Sequence, residues 1–331
     1  VAAAFLSDPM NEEAAVLTSD GRPDELLLPF RTASLLLGHR NNVGSLRMKN
    51  GSDNIIFRGD NDSVLMVWAN TPTVEHMYLG EDVYEVDVWG RRKPLDLVEH
   101  EGRRIQQIAV GRVPKFLVGI DQSLADFRMS VRLDRTRIDA LLGLQQPLGV
   151  QFRNPISQSL AGEMAVLPPD SWRLDQASKP WNLLPNESTK VDFGVTLENN
   201  ATIGAYQLPL DFAFETIPPT VIRVHRTISI GPEGFDIRVT TRLIDDGQGG
   251  RLRVKIEMVN HTNRLTNFDC LLFAGRERQY ERRVLVLPPR DTVSRNIDWP
   301  NGNELLGTRM WLRAIEQDGN RVINHSFEAK P

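Results

Sequence analysis

Residues 235–258 read FDIRVTTRLIDDGQGGRLRVKIEM, and this stretch decides the fold class. Apolar and polar residues alternate on both sides of an acidic, glycine-rich segment at 245–250. That pattern predicts two antiparallel strands joined by a turn, with one face of the hairpin buried. On the returning strand the apolar side is formed by Leu252, Val254, Ile256 and Met258.

The same two-residue period recurs through most of the chain. It predicts half-buried strands over residues 127–133, 191–197 and 206–214, and shorter apolar runs such as 64–68 predict further strands. Proline and asparagine fill the gaps, and no alternation of strands with helices follows residue 50. The sequence therefore predicts an all-β chain of tandem immunoglobulin-like β-sandwiches, preceded by a short helical segment.

The helical segment is the leucine-rich stretch 26–37, which Gly38 follows as a C-terminal signal. We expect Pro29 to break or kink it, so that the helix begins near that residue. An all-round apolar helix needs a partner surface, and the chain starts at Val1 with no visible leader. We therefore expect this chain to be a piece of a longer polypeptide.

Four parts are predicted along the chain. The stiffest linker is Ile217-Pro218-Pro219-Thr220, because proline cannot join a central ladder. The predicted parts are a helical remnant of an upstream domain (1–39) and three β-sandwiches (40–122, 123–217 and 218–331).

Composition excludes several classes of function. The 331 residues are 40% hydrophobic and 25% charged, with a net charge of −4, which gives no general reason to bind nucleic acid. No apolar run is long enough for a membrane span. The single Cys270 excludes an intrachain disulfide and cysteine-rich metal sites.

No catalytic or cofactor motif stands out. Nucleotide-binding loops and nucleophile elbows are absent, the six histidines are scattered singly, and Cys270 lies in an apolar run typical of a buried structural thiol. We therefore expect no metal and no cofactor. Acidic pairs such as Glu81-Asp82 remain candidates for glycoside hydrolysis, which requires two carboxyl groups at a suitable separation.

Six tryptophans offer flat rings that could stack on sugars. We interpret Trp68 and Trp311 as core residues because they lie within apolar runs. Trp299, in a turn-like Asp-Trp-Pro-Asn-Gly segment, is the candidate for an exposed ring, and Trp89 beside a basic run is the second candidate. These two are the predicted carbohydrate-binding residues.

Residues 160–208 carry a group of short motifs in a characteristic order. They are VLPPDSW at 166–172, LPNEST at 184–189 and ATIGAY at 201–206, preceded by Asn154-Pro155. This segment resembles the NEW3-type domain, an immunoglobulin-like module associated with α-galactosidases and other glycoside hydrolases. Asn186 stands where glycine is usual, and asparagine also tolerates turn geometry. The resemblance implies an accessory role and carries over no catalytic residue.

Residues 1–95 resemble the C-terminal end of a barrel-type glycoside hydrolase that continues into its appended β-sandwich. The matching segments are DELLLPFRT at 24–32, VWAN at 67–70 and VDVWGR at 86–91. This resemblance implies that catalytic carboxylates lie upstream, in a catalytic domain of the same polypeptide.

The sequence thus predicts non-catalytic accessory or scaffolding modules of an exported carbohydrate-active or cell-envelope protein. We expect an extracytoplasmic location, an upstream catalytic domain as partner and polysaccharide as a further partner. The alternative is a glycoside hydrolase with its carboxylates in or just upstream of this chain, Glu81 or Asp82 among them.

Overall fold

The computed structural model describes residues 10, 16–60, 62–215, 220–244, 250–274 and 279–331, and the side chains of 282–331 in the last range. The chain is all-β, as predicted: tandem immunoglobulin-like sandwiches follow a short helix. The predicted linker at 217–219 and the turn at 245–249 lie outside the described residues.

The first unit packs a six-stranded sheet, in the order β1-β2-β3-β9-β5-β6, with a three-stranded sheet, β4-β8-β7. Its strands are β1 (Asn41–Gly44), β2 (Asp53–Arg58), β3 (Ser63–Trp68), β4 (Thr73–Met77), β5 (Tyr84–Val86), β6 (Arg92–Pro94), β7 (Leu97–His100), β8 (Arg103–Val110) and β9 (Lys115–Ile120).

Helix α1 spans Leu27–Leu37 and covers the six-stranded sheet. Pro29 does not break it, contrary to our expectation. The first i→i−4 hydrogen bond runs from Phe30 to Leu26, so a proline in the preceding position needs no acceptor. The outward side of the helix stays apolar, with Leu28 47% and Leu35 66% exposed.

Helix α2 (Gln122–Ser130) replaces most of the strand predicted over 127–133, and this part of the prediction was wrong. The side chain of Asp121 caps the helix by accepting the amide of Leu124 at 3.0 Å. Leu124 and Phe127 are three residues apart, a spacing that places both on one helix face. In a strand the same spacing would place the two side chains on opposite faces.

The second unit pairs the sheet β10-β12-β16-β14 with the sheet β11-β18-β17-β13-β15. Strand β18, beyond the predicted linker, pairs with β17 along eleven residues and so extends the second unit's sheet to Ile230. The strands are β10 (Arg132–Leu133), β11 (Arg137–Ile138), β12 (Gln145–Arg153), β13 (Leu160–Val166), β14 (Trp172–Leu174), β15 (Ser178–Leu183), β16 (Ser188–Leu197), β17 (Gly204–Phe214) and β18 (Thr220–Ile230).

The third unit contains the hairpin predicted over residues 235–258. Its two strands pair from Phe235 opposite Asn260 to Ile244 opposite Arg251, as predicted. One sheet has the order β19-β20-β23 and the other β22-β21-β24-β25. The elements are β19 (Phe235–Ile244), β20 (Arg251–Asn260), β21 (Thr266–Ala274), β22 (Gln279–Leu287), β23 (Thr292–Trp299), α3 (Gly302–Leu305), β24 (Arg309–Glu316) and β25 (Val322–Glu328).

One hydrophobic cluster runs through the second and third units, whereas the first unit holds two clusters of its own. Within the described residues, no helix has both the length and the apolar character needed to cross a membrane.

Candidate functional site

Trp299 is buried, and our expectation of an exposed ring was wrong. It is the last residue of β23, pairs with Leu252 and is only 4% exposed. Side chains two residues apart on a strand share a face, so Trp299 points into the sandwich core together with Ile297. It therefore presents no platform to a ligand.

Trp89 lies at the tip of the β5–β6 hairpin and is 50% exposed. The carboxylate of Asp87 fixes this turn by accepting the amides of Trp89 (2.9 Å) and Arg91 (3.0 Å). Although burial acts to raise the pKa of Asp87, hydrogen bonds from Arg91 lower it overall. The Arg91 guanidinium lies 5.2 Å from the centre of the indole ring, so Trp89 is exposed but already in contact with a cation.

Trp311 points outward, contrary to our interpretation of it as a core residue. It is 41% exposed, because Met310, Leu312 and Ala314 take the inward positions of β24. Its cross-strand partners are Phe273 on β21 and Ser326 on β25. The chain thus displays an indole ring in the middle of a four-stranded sheet.

The surface around this ring is the outward side of the sheet β22-β21-β24-β25, which we call the Trp311 face. Strand pairing places apolar side chains beside polar or charged ones across this face, with Leu271 opposite Arg313 and Trp311 opposite Ser326. Its members are Asp269, Leu271, Phe273, Arg282, Val284, Val286, Arg309, Trp311, Arg313, Ile315, Val322, Asn324, Ser326 and Glu328.

One end of the Trp311 face meets a loop of the second unit. The carbonyl of Asn199 accepts the side-chain amide of Asn324 at 2.9 Å and lies 3.5 Å from a guanidinium nitrogen of Arg313. Asn199 also lines a groove of about 340 Å³. The other lining residues are Gly143, Arg173, Thr196, Leu197, Glu198 and Asn200. The face and the groove are therefore contiguous.

Charges on this surface are unevenly paired. Asp269 and Arg282 neutralise each other in an ion pair of 2.7 Å. Within the part of the chain that the structure describes, Arg173, Arg309 and Arg313 make no ion pair. These guanidinium groups remain available to an incoming acceptor.

A larger cleft, of about 720 Å³, lies in the first unit and contains Glu81 and Asp82. Glu81 already accepts the Tyr78 hydroxyl at 2.9 Å and pairs with Arg104 at 3.2 Å. Burial, followed by the hydrogen bond to Glu81, raises the pKa of Tyr78 to about 12. The remaining lining residues include Asp96, Arg92 and Lys93, so the cleft mixes carboxylates with cations.

Cys270 is fully buried, as predicted, and burial raises the pKa of its thiol to about 12, with a smaller contribution from Asp269. A thiol in such surroundings is a poor nucleophile. Among the described residues, no three His, Cys, Asp or Glu side chains come close enough to hold a metal ion.

Comparison with known proteins identifies no family. No protein-family model matches the chain, and no curated protein matches it. Among solved structures, the CupB2 chaperone of Pseudomonas aeruginosa is 11% identical to this chain and has a TM-score of 0.21. The match covers 60% of this chain and 100% of the chaperone. The E. coli chaperone DraB is 14% identical, with 61% and 98% covered and a TM-score of 0.22. Red sea bream transglutaminase is 7% identical, with 61% and 31% covered and a TM-score of 0.28.

Proposed function

We propose that this chain is a set of non-catalytic accessory modules of an exported carbohydrate-active or cell-envelope protein, and that it contacts glycans through the Trp311 face. The observation that carries the proposal is the outward indole of Trp311 beside Phe273 on an open sheet. Trp89 provides a second, separate ring.

The chemistry of the face suits a sugar. An indole presents a flat apolar surface on which the C–H side of a pyranose can lie, while hydroxyl, amide and guanidinium groups beside it can bond to sugar hydroxyls. Ser326 lies opposite Trp311 on the neighbouring strand, and Arg309 and Arg313 flank the ring on its own strand.

The expected strength is modest. Covering the exposed part of one indole removes roughly 100 Å² from water, which at about 25 cal/mol per Å² contributes about 2–3 kcal/mol. The loss of translational and rotational freedom on association costs at least as much free energy as this contact contributes. A useful affinity therefore needs a polymer that contacts the face over several sugar units.

The apolar outer side of α1 supports the second part of the proposal, an upstream catalytic domain of the same polypeptide. A surface helix usually carries polar residues on the side that faces solvent. Here that side carries Leu28 and Leu35, which are both exposed and form an apolar patch. We propose that this side packs against that domain and that the whole protein acts outside the cytoplasm. The NEW3-like motifs at 166–172 and 184–189 are consistent with such an accessory role.

Affinity electrophoresis of the chain through gels containing soluble polysaccharides tests glycan binding. We expect retention by at least one polysaccharide, lost in Trp311→Ala and largely kept in Trp89→Ala, since Trp89 is already in contact with Arg91. A thermal unfolding curve of each variant serves as the folding control. Free migration of the unaltered chain in every gel, or equal retention of the unaltered chain and Trp311→Ala, would refute glycan binding by this face.

Glycoside hydrolysis is the second candidate, and the cleft that holds Glu81 and Asp82 favours it. It predicts that this chain alone hydrolyses aryl glycosides and that Glu81→Gln abolishes the turnover, because an amide cannot exchange the proton that the reaction needs. No turnover across a panel of aryl glycosides would remove this candidate and leave the accessory role.

A further inference from the structure

We infer that the ligand of the Trp311 face is an anionic glycan of the polyuronate class, in which every sugar ring carries a carboxylate. The inference rests on the proposed function and adds to it the chemistry of the substrate. Its basis is the position of unpaired arginines around the aromatic ring.

Arg309 and Arg313 flank Trp311 on the same strand and the same face. Each is two residues from Trp311, which places its backbone about 6.5–7 Å away along β24. Across the sheet, Glu328 is opposite Arg309 and Asn324 is opposite Arg313. Neither arginine has an ion-pair partner among the described residues, so Glu328 leaves Arg309 available.

A further arginine lies in the groove of the second unit. Arg173 lines it and is likewise unpaired in the described part of the chain, while Glu198 is the one carboxylate among the groove's lining residues. Asn200 adds an exposed amide. A polymer that leaves Trp311 in the direction of Arg313 therefore meets another guanidinium group after Asn199.

This arrangement favours a regularly charged polymer. When one ring of a polyuronate stacks on Trp311, the neighbouring rings bring their carboxylates toward Arg309 and Arg313. Arginine binds a carboxylate through two parallel hydrogen bonds, which are stronger than bonds to neutral hydroxyls. A neutral glycan would offer these arginines only hydroxyl groups. A sulfated galactan offers anions too, but its charge need not fall on each successive ring.

The test compares polygalacturonate with the same polymer after methyl esterification, which removes the charge and keeps the backbone. In affinity electrophoresis of the whole chain, we expect polygalacturonate to be bound about tenfold more tightly than the ester, as charge-assisted hydrogen bonds imply. The preference should largely disappear in 1 M NaCl, where the Debye length is about 3 Å. The double variant Arg309→Gln/Arg313→Gln should bind both polymers equally.

Arg295→Gln is the matched control, because Arg295 is an exposed side chain on β23, an edge strand of the other sheet of this unit. It should leave the preference for polygalacturonate unchanged. An equal loss in this variant would mean unspecific attraction and would overturn the inference, as would tighter binding of a sulfated galactan than of polygalacturonate.

The two proposals fail separately. Equal binding of the acid and the ester, both dependent on Trp311, overturns the anionic class and leaves glycan binding intact. If no polysaccharide of any class is retained, both proposals fall together.

Discussion

At the scale of single residues, the most strongly perturbed imidazole is His225 on β18. It is 6% exposed, and burial, followed by the charges of Arg223 and Lys49, lowers its pKa from 6.5 to about 4. Glu75 opposes that effect without cancelling it. A proton therefore binds His225 more readily in the unfolded chain than in the folded one.

The sign of the pH dependence follows from that difference. Above pH 6.5 both states hold a neutral imidazole, and as the pH falls toward 4 the unfolded state takes up the proton first. The free energy of unfolding should therefore drop across this window, by up to about 3 kcal/mol from this residue. In His225→Gln the contribution is removed, while those of His76 and His325, whose pKa values are also lowered, stay.

Urea unfolding of both proteins across the same pH range measures the effect. We expect the difference in unfolding free energy between the unaltered chain and His225→Gln to shrink as the solution becomes acidic. A difference that stays constant with pH would show that His225 does not titrate as its burial implies.

The tryptophans show how well the direction of a single side chain can be predicted from the sequence. In β24 the alternation of Arg309, Trp311 and Arg313 with apolar neighbours already contains the outward direction of the ring. The apolar run around Trp311 concealed that signal. For Trp299 the neighbouring Pro300 and Asn301 suggested a turn, whereas β23 continues to Trp299 itself. Turn residues locate the end of a strand but do not say which way its last side chain points.

At the scale of elements, strand periodicity was predictable and the joints between units were not. The hairpin of β19 and β20 follows from alternation alone. Helix α2 does not, because its nine residues bury Ala125 in the first unit's core and Phe127 in the second unit's core. A segment whose side chains pack into two different cores shows neither the helical nor the strand period of apolar residues clearly. The local signal that identifies this helix is the N-terminal cap at Asp121.

Two buried asparagines repeat the same clamp in the second and third units. The side-chain amides of Asn154 and Asn260 each donate to the carbonyl of the residue four positions later, both at 2.7 Å. They also donate to the carbonyls of Leu184 (3.1 Å) and Pro288 (3.0 Å), which directly follow β15 and β22. Each also accepts the amide two residues later, at 2.9 and 2.8 Å. Equivalent contacts at the equivalent corner mark these units as structural repeats, although the flanking sequences differ.

Removing either clamp should be costly. Asn154→Ala or Asn260→Ala leaves buried carbonyls and one amide without partners, at about 1–3 kcal/mol for each unsatisfied group, so we expect a loss of about 3 kcal/mol or more in unfolding free energy. Asn296→Ala, on the exposed side of β23, is the control and should change it by less than about 0.5 kcal/mol. Urea unfolding measures all three, and a small loss at Asn260 would mean that water replaces the clamp.

At the scale of the whole molecule, the cores divide the chain unequally. The second and third units share one cluster and are joined by backbone hydrogen bonds, such as Val322 to Ala140 at 2.9 Å and Ile203 to Asn324 at 2.7 Å. Between the first and second units, the polar links include the ion pair of Arg223 with Glu101 at 2.9 Å. Solvent-accessible pairs of this kind contribute only about 0–1 kcal/mol.

This division predicts two unfolding transitions in differential scanning calorimetry, one for the first unit and one for the second and third together. Leu65→Ala, in the first core, should lower only the first unit's transition, because a buried Leu→Ala change costs about 2–5 kcal/mol where the cavity forms. Leu208→Ala, in the shared core, should lower only the other. A shift of both transitions by either variant would show that α2, which contributes to both cores, couples all three units into one cooperative structure.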